Sequence, residues 1–101
     1  FDYIYSNSPV EKFKKFSCCK EDIFILGNTH HQMNITKYSK VIFNPGSVGQ
    51  PRDLKGGAAW ATLDKKNFKV DFFYEKYNKT NLLKEIKKIE KHNHYNYKAL
   101  I

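Results

Sequence analysis

Two short apolar runs, each ending in a loop of small and polar residues, constrain the fold of this chain more than any other sequence feature. The first run is DIFILG at residues 22–27, and the second is KVIFNP at residues 40–45. A continuous apolar run of this length is typical of a strand that is buried on both faces. Such strands need a covering layer on each side, so the two runs predict an α/β domain with helices or a second sheet packed against them.

The remaining elements are predicted from the spacing of apolar residues. Residues 1–6 (FDYIYS) indicate a β-rich strand, and residues 10–16 (VEKFKKF) a short amphipathic helix with apolar positions three residues apart. Further strands are expected at 58–64 and 67–76, joined by a short hairpin-like link. Residues 80–92 place leucines and isoleucines on one face of a helix. The predicted order is strands followed by a C-terminal helix.

Length and charge limit the classes of function. The 101 residues correspond to one small domain or a piece of a larger one, and no repeat or linker divides them. Eighteen Lys and Arg against ten Asp and Glu give a net charge of +8, which favours an anionic partner. The lysines are scattered, and Arg52 is the only arginine. Nucleic-acid readers favour clustered arginines, so nucleic acid is the weaker interpretation of this charge.

Cysteine usage and hydropathy indicate a cytoplasmic protein. Cys18 and Cys19 are adjacent, a spacing that strains a disulfide and forms no C-x-x-C metal pair, so we predict free thiols in a reducing compartment. No apolar run approaches the ~18 residues of a membrane span, and no signal peptide opens the sequence. No membrane partner is therefore expected.

The first candidate site follows the first apolar run. Asn28, Thr29, His30 and His31 come directly after Gly27, at the carboxyl end of the predicted strand, where open α/β sheets place their ligands. Neutral imidazole is the commonest ligand of transition metals, so this loop suits a metal ion. The alternative is that both histidines are solvated side chains of a polar loop.

The second candidate site is the loop NPGSVGQPR at residues 44–52. Its glycines allow close approach of backbone N–H groups to a ligand, Ser47 adds a hydroxyl, and Arg52 adds a planar donor suited to phosphate. The alternative is a plain turn rich in glycine and proline. Roughly 15 residues separate His30 from Gly46, enough for an excursion that returns to the same sheet edge. We therefore expect the two loops to meet.

Three segments carry a resemblance to a known family: GNTH at 27–30, VIFNPGSVGQPR at 41–52 and AAWATLD at 58–64. Together they resemble the carboxyl half of the calcineurin-like metallophosphoesterases, in the small bacterial and archaeal phosphodiesterase branch. The resemblance implies a two-layer β sandwich flanked by helices, so that this α/β chain would form part of a four-layer α-β-β-α sandwich. It also implies that residues 1–101 form the carboxyl-terminal half of the domain, with the amino-terminal half absent from this chain.

The resemblance further implies a two-metal centre that activates water for attack on phosphorus. The implied cofactors are divalent metal ions, Mn first and Zn, Ni or Fe as alternatives, with two ions in the family and one or two here. Asn28 and Ser6 stand where the family has metal-binding histidines, which weakens the position of one ion. The implied site residues are Asn28 and His30 as catalytic and metal-binding residues, and Asn44, Gly46, Ser47 and Arg52 as substrate-binding residues.

The predicted function is that of a metal-dependent phosphoesterase acting on phosphodiesters or phosphomonoesters. The expected partners are a phosphate-ester substrate and the amino-terminal half of the same domain. The sequence leaves open whether the protein forms a homo-oligomer. The first alternative is a catalytically inactive metallophosphoesterase-like scaffold for protein–protein interaction, which the two replaced histidines favour. A second alternative, a basic nucleic-acid-binding module, predicts an affinity that falls steeply with salt.

Overall fold

The computed structural model describes residues 3–54 and 56–89 of the chain. Within these ranges, two 3₁₀ turns precede five strands and one α-helix. The turns are Val10–Lys12 and Lys14–Phe16; the strands are β1 (Ile23–Ile25), β2 (Gln32–Lys37), β3 (Lys40–Pro45), β4 (Gly57–Asp64) and β5 (Lys69–Lys76); and the helix is α1 (Thr80–Ile89).

The strands form two small sheets. Strand β3 is the centre of a three-stranded sheet, parallel to β1 and antiparallel to β2. Strands β4 and β5 form a separate antiparallel ribbon. Tyr38 and Ser39 connect β2 to β3 with φ angles of 54° and 58°. These angles suit a two-residue turn whose twist matches that of the flanking strands.

The predicted four-layer α-β-β-α sandwich is wrong for this chain. The regular secondary structure of the described residues is mostly β-strand, arranged as two small sheets, with one short helix near their C-terminal end. A helical layer requires a helix whose apolar stripe is buried against a sheet. Helix α1 buries none of its residues, so it covers neither sheet as a layer.

The hydrophobic core lies between the three-stranded sheet and the preceding segment. Strand β3 buries its residues from Lys40 through Asn44, and Ile42 is fully buried at 0% exposure. The core cluster consists of Ile4, Phe13, Phe16, Met33 and Ile42, with Phe24, Leu26 and Ile35 packed against it. The second apolar run therefore forms the buried strand that the sequence predicted, with the predicted bounds, and this strand is the central one of its sheet.

The segment before the sheet differs from its prediction. Residues 3–6 form no strand, and residues 1–2 of that predicted strand lie outside the described part of the chain. The predicted helix at 10–16 is a pair of 3₁₀ turns. Three residues per turn match the three-residue spacing of the apolar side chains, and Phe13 and Phe16 are both buried.

The ends of two other elements also differ. Strand β1 has only three residues, and Ile25 is 63% exposed, so its predicted burial on both faces is wrong. Helix α1 ends at Ile89, and residues 90–92 of the predicted helix lie outside the described part of the chain. None of the helices in the described ranges is long and apolar enough to cross a membrane.

Candidate functional site

The two predicted loops meet at one edge of the three-stranded sheet. Strands β1 and β3 are parallel neighbours, so their carboxyl ends lie side by side. The Nδ1 atom of His30 lies 2.9 Å from the carbonyl oxygen of Gln50. The backbone N–H of Arg52 donates a hydrogen bond of 3.1 Å to the carbonyl of His30. The first loop is thus joined to the second through both the ring and the backbone of one histidine.

The hydrogen bond of the His30 ring defines which nitrogen carries a proton. A backbone carbonyl can only accept a hydrogen bond, so Nδ1 of the neutral ring donates and carries the hydrogen. The other nitrogen, Nε2, therefore keeps its lone pair. Histidines that bind metals commonly donate their second nitrogen to a carbonyl or carboxylate in this way. In its neutral form, His30 is therefore held in the tautomer whose Nε2 atom is available to accept a hydrogen bond or bind a metal ion.

Asn44 connects the two loops from inside the protein. Its side chain is fully buried, and its Nδ2 group donates hydrogen bonds of 3.1 Å to the Gly27 carbonyl and to Thr29 Oγ1. Its Oδ1 atom accepts a hydrogen bond of 3.0 Å from the Gly46 N–H. Both amide hydrogens are therefore used within the protein. The structure places Asn44 beneath the site rather than at its surface.

The first loop has an unusual backbone. Asn28 and His30 have positive φ angles of 72° and 61°, a region that asparagine and histidine enter more readily than most residues. Between them, Thr29 is only 1% exposed, and its Oγ1 atom also accepts a hydrogen bond from the N–H of His31. This buried threonine fixes the loop, which leaves the Asn28 side chain exposed and His30 half-buried. Strained backbone of this kind is common at functional sites.

The second loop needs glycine at one of its two glycine positions. Gly46 has a φ angle of +88°, and a Cβ atom there would lie 2.9 Å from Ala59 Cβ and 3.0 Å from Gln32 Cγ. Any other residue would be strained and would collide with β4. A Cβ atom on Gly49 would meet nothing within 4 Å. Gly46 is therefore required for the close packing of this loop against β4, whereas Gly49 is not required for packing.

The other predicted substrate-binding residues lie on the same loop. The Ser47 hydroxyl accepts a hydrogen bond of 2.9 Å from the Gln50 N–H, and the Ser47 carbonyl accepts one of 2.9 Å from the Ala59 N–H. Ser47 thus stabilises the loop and ties it to β4. The Arg52 side chain is exposed beside His30, whose carbonyl its backbone contacts.

Two residues that the sequence analysis did not select also hold the site together. A carboxylate oxygen of Asp53 accepts a 2.6 Å hydrogen bond from the N–H of Gln32, which joins the end of the second loop to the start of β2. The Gln32 side chain donates to the carbonyls of Trp60 and Phe73, at 3.3 and 3.1 Å. Gln32 therefore bridges the three-stranded sheet and the ribbon. No motif marks these residues, because their partners are distant in sequence.

Ser6 lies in a turn near the same edge. The Tyr5 carbonyl accepts a hydrogen bond of 3.0 Å from the Ser8 N–H, and the Ser8 hydroxyl accepts one of 2.8 Å from the Tyr5 N–H. The Tyr5 ring meets the His31 ring edge-on, with 5.1 Å between the ring centroids. This contact brings the exposed Ser6 turn against the histidine loop.

The described residues supply only part of a metal-binding set. Within residues 3–54 and 56–89, no group of three or more His, Cys, Asp and Glu side chains is placed to hold a metal ion. His30 offers one imidazole nitrogen, and Asn28 offers an amide oxygen, which is a weaker donor to transition metals. His30 and Asn28 are thus the two candidate donors on this loop, and a metal ion here would need further ligands from elsewhere.

Comparison with known proteins gives relatives of unassigned function. No family model matches the sequence. A stretch of 39 residues, 39% of this chain and 16% of the relative, is 44% identical to the uncharacterized protein MJ0912 of Methanocaldococcus jannaschii. The fold resembles the crystal structure of the hypothetical protein PH1004 of Pyrococcus horikoshii OT3, with a TM-score of 0.76 and 21% identity, over 96% of this chain and 39% of that chain.

These likenesses bear on the fold and not on the chemistry. The arrangement of two small sheets and one short helix recurs in a solved structure, which supports the correction of the predicted four-layer sandwich. At 21% identity, the likeness shows a shared fold alone. The chain spans 16% of the M. jannaschii protein and 39% of the P. horikoshii chain, so it corresponds to less than half of either relative.

Proposed function

We propose that this chain contributes one edge of the active site of a metal-dependent phosphoesterase, related to the calcineurin-like metallophosphoesterases that its motifs resemble. The observation that carries the proposal is the hydrogen bond between His30 Nδ1 and the Gln50 carbonyl, at 2.9 Å. It orients the ring for metal binding through Nε2, and its acceptor belongs to the very loop expected to hold phosphate. One contact thus ties the metal ligand to the substrate loop.

In this proposal, His30 and Asn28 hold one side of a divalent metal ion, and manganese is the first candidate. The other ligands come from the amino-terminal half of the same domain. When bound, such an ion polarises a phosphoryl oxygen and lowers the pKa of water enough to make it a nucleophile near neutral pH. The amide of Asn28 binds a transition metal more weakly than an imidazole, so this side of the site favours a loosely held ion.

Arg52 and the loop from Gly46 to Gln50 bind the phosphate of the substrate. The guanidinium of Arg52 presents paired N–H donors that match two phosphate oxygens. Val48 and Gly49 are exposed, so the loop presents part of its backbone to a ligand in solvent. The net charge of +8 also favours an anionic substrate.

Asn44 acts as a positioning residue in the same proposal. Because its side chain is buried and bonds to both loops, it reaches the substrate only through them. Its amide holds the Gly27 carbonyl at the start of the first loop and the Gly46 N–H at the start of the second. The spacing between metal ligand and phosphate loop depends on this side chain.

The alternative is a catalytically inactive scaffold of the same fold that binds other proteins. The observation favouring it is that Asn28 and Ser6, the two residues that stand in place of family histidines, are both exposed at this edge and carry no imidazole. If the scaffold interpretation holds, manganese produces no hydrolysis in the natural protein. Combined Asn28→His and Ser6→His substitutions then create it.

The test is hydrolysis of bis(p-nitrophenyl) phosphate by the full-length protein with and without added manganese. We expect manganese-dependent hydrolysis that falls at least about 100-fold in a His30→Asn variant, since even the partners of metal ligands are worth 10–100-fold. Asparagine tolerates the positive φ of residue 30, so this change removes the imidazole without straining the loop.

A matched control is His31→Asn, which removes the neighbouring imidazole from the same loop. We expect this variant to keep the wild-type rate and the wild-type affinity for manganese, measured by isothermal titration calorimetry. The proposal is wrong if His30→Asn keeps both properties, or if the two histidine variants lose them equally.

A further inference from the structure

A cleft lies beside the candidate site, and of its lining residues only Asn28 has a role in the proposed chemistry. It has a volume of about 320 Å³ and is lined by Ile4, Lys15, Phe16, Leu26, Gly27 and Asn28. Pockets for small ligands begin at about 300 Å³ and combine apolar walls with a few polar groups. This cleft therefore has the size and lining for a single compact ring.

The walls of the cleft belong to the rigid part of the protein. Ile4 and Phe16 are each 6% exposed and are members of the core cluster, against which Leu26 packs. The Phe16 ring lies against the Phe24 ring with 4.8 Å between centroids. The Leu26 N–H donates a hydrogen bond of 2.7 Å to the Phe43 carbonyl of β3. A ligand in the cleft would meet a preformed apolar surface.

The cleft shares Asn28 with the candidate metal site. Its far wall is formed by Gly27 and Asn28, the first residues of the loop that carries His30. The exposed Lys15 is the charged residue among those that line it, and its Nζ atom lies 5.6 Å from the centroid of the Phe16 ring. An anionic ester bound at His30 and Arg52 would therefore have an apolar cavity and a cation next to it.

We infer that this cleft binds the organic group of the phosphoester, and that the site selects esters carrying a compact aromatic ring over esters of small alcohols. The inference rests on the proposed phosphoesterase function and adds the substrate class. The ring packs against Phe16 and Leu26, and Lys15 attracts the anionic ester. Burying a phenyl group in place of a methyl group strengthens binding by about tenfold or more.

The test compares phenylphosphonate with methylphosphonate, whose carbon–phosphorus bonds are not cleaved, by isothermal titration calorimetry on the full-length protein loaded with manganese. We expect phenylphosphonate to bind at least about tenfold more tightly. Equal affinities overturn the inference. So does a lack of detectable phenylphosphonate binding at about 10 mM, a concentration at which even a millimolar dissociation constant gives high occupancy.

A substitution in the wall locates the selectivity. A Cβ atom on Gly27 would meet nothing within 4 Å, so Gly27→Val is accommodated by the fold and narrows the cleft. We expect this variant to lose most of the preference for phenylphosphonate while methylphosphonate binds as before. If the preference survives in Gly27→Val, the ring binds somewhere else and the inference is wrong.

A matched lysine pair tests the charge. Lys15 lines the cleft, and its exposed neighbour Lys14 lies on the same 3₁₀ turn without lining it. We expect Lys15→Met to weaken phenylphosphonate binding by about threefold and Lys14→Met to leave it unchanged, because only the nearer charge interacts strongly with the bound anion. Equal effects of the two substitutions would contradict the role given to Lys15.

The outcomes also separate this inference from the proposed function. A preference for phenylphosphonate that Gly27→Val abolishes, in a protein that hydrolyses no ester, would support the cleft and reject the phosphoesterase proposal. Hydrolysis that depends on His30 and is indifferent to the organic group would support the enzyme and reject the cleft.

Discussion

The three-stranded sheet and the β4–β5 ribbon are both built of short β-strands, but they differ in how much of each strand is buried. Strand β3 buries five of its six residues, and its central residue Ile42 has no exposed surface. The ribbon buries only Gly57 and Ala59, at the end of β4 that contacts the loop at residues 44–52. An isolated two-stranded ribbon is marginally stable in water. The sheet therefore supplies the rigid base of the site, and the ribbon contributes where its small residues meet the loop.

The exposed ribbon shows that a high content of aromatic residues is not enough to form a hydrophobic core. Trp60 and Phe73 stack on the ribbon with 4.3 Å between ring centroids, yet each is 38% exposed. Ala59, with a much smaller side chain, is 2% exposed because Gly46 lies directly against it. Close approach to the loop, and not residue size, decides which part of the ribbon is fixed.

The largest expected effect comes from truncating the central strand. We expect Ile42→Ala to lower the free energy of unfolding by about 4 kcal/mol, because it leaves a cavity in a closely packed core. The matched change on the ribbon, Leu63→Ala, should cost about 1 kcal/mol, since Leu63 is only half-buried. Urea unfolding followed by circular dichroism measures both.

If Ile42→Ala does not fold, Ile42→Val serves in its place, with an expected loss of about 1 kcal/mol. Equal losses at β3 and β4 would mean that the ribbon is as well packed as the sheet. The contrast between the two regions would then be wrong.

A smaller effect is expected where the ribbon meets the loop. We expect Gly46→Ala to lower the free energy of unfolding by about 2 kcal/mol, because it combines an unfavourable positive φ with a Cβ atom 2.9 Å from Ala59 Cβ. Gly49→Ala should change it by less than about 0.5 kcal/mol, since its Cβ atom meets nothing within 4 Å. Comparing the thermal unfolding of the two variants shows which part of the loop is packed against β4 and which part is open to solvent.

The smallest effect lies at the far end of the ribbon. The pKa of Asp64 lies below its ordinary value of 3.8, first because the backbone N–H of Lys66 donates to the carboxylate, and next because that of Asn67 does so. Since the folded pKa is the lower one, the charged carboxylate stabilises the turn above the unfolded pKa. That contribution is lost as the pH falls through the folded pKa.

An NMR titration of the Asp64 carboxyl group and the Lys66 amide checks this prediction. We expect both signals to titrate together below pH 3.8, and the Lys66 response to vanish in Asp64→Asn. A midpoint at or above 3.8 would show that the turn gains nothing from the charge.

The central strand and the meeting of the two loops could be predicted from sequence. The run at residues 40–45 has no helical period and ends in proline and glycine, and β3 occupies the same residues. Both candidate loops follow strands, and those strands proved to be parallel neighbours, so the loops share one edge. The local sequence pattern was sufficient to predict that the loops meet, because each loop begins where its strand ends.

Strand β2 and the buried role of Asn44 could not be predicted in the same way. Residues 32–37 mix Met33 and Ile35 with polar neighbours, and the turn at Tyr38 and Ser39 contains neither glycine nor asparagine, so the hairpin signal is weak. For Asn44, the apolar run predicts a buried strand position but not the partners of its side chain. Its partners, Gly27 and Thr29, become neighbours only when β1 pairs with β3.

The buried Asn44 side chain holds the loops of the candidate site independently of the side chains exposed at its surface. The side chain of exposed Asn28 takes no part in the hydrogen bonds by which Asn44 holds Gly27 and Gly46 from below. Surface substitutions at this edge therefore change the groups that are presented to solvent while the buried hydrogen bonds that hold the loops stay in place.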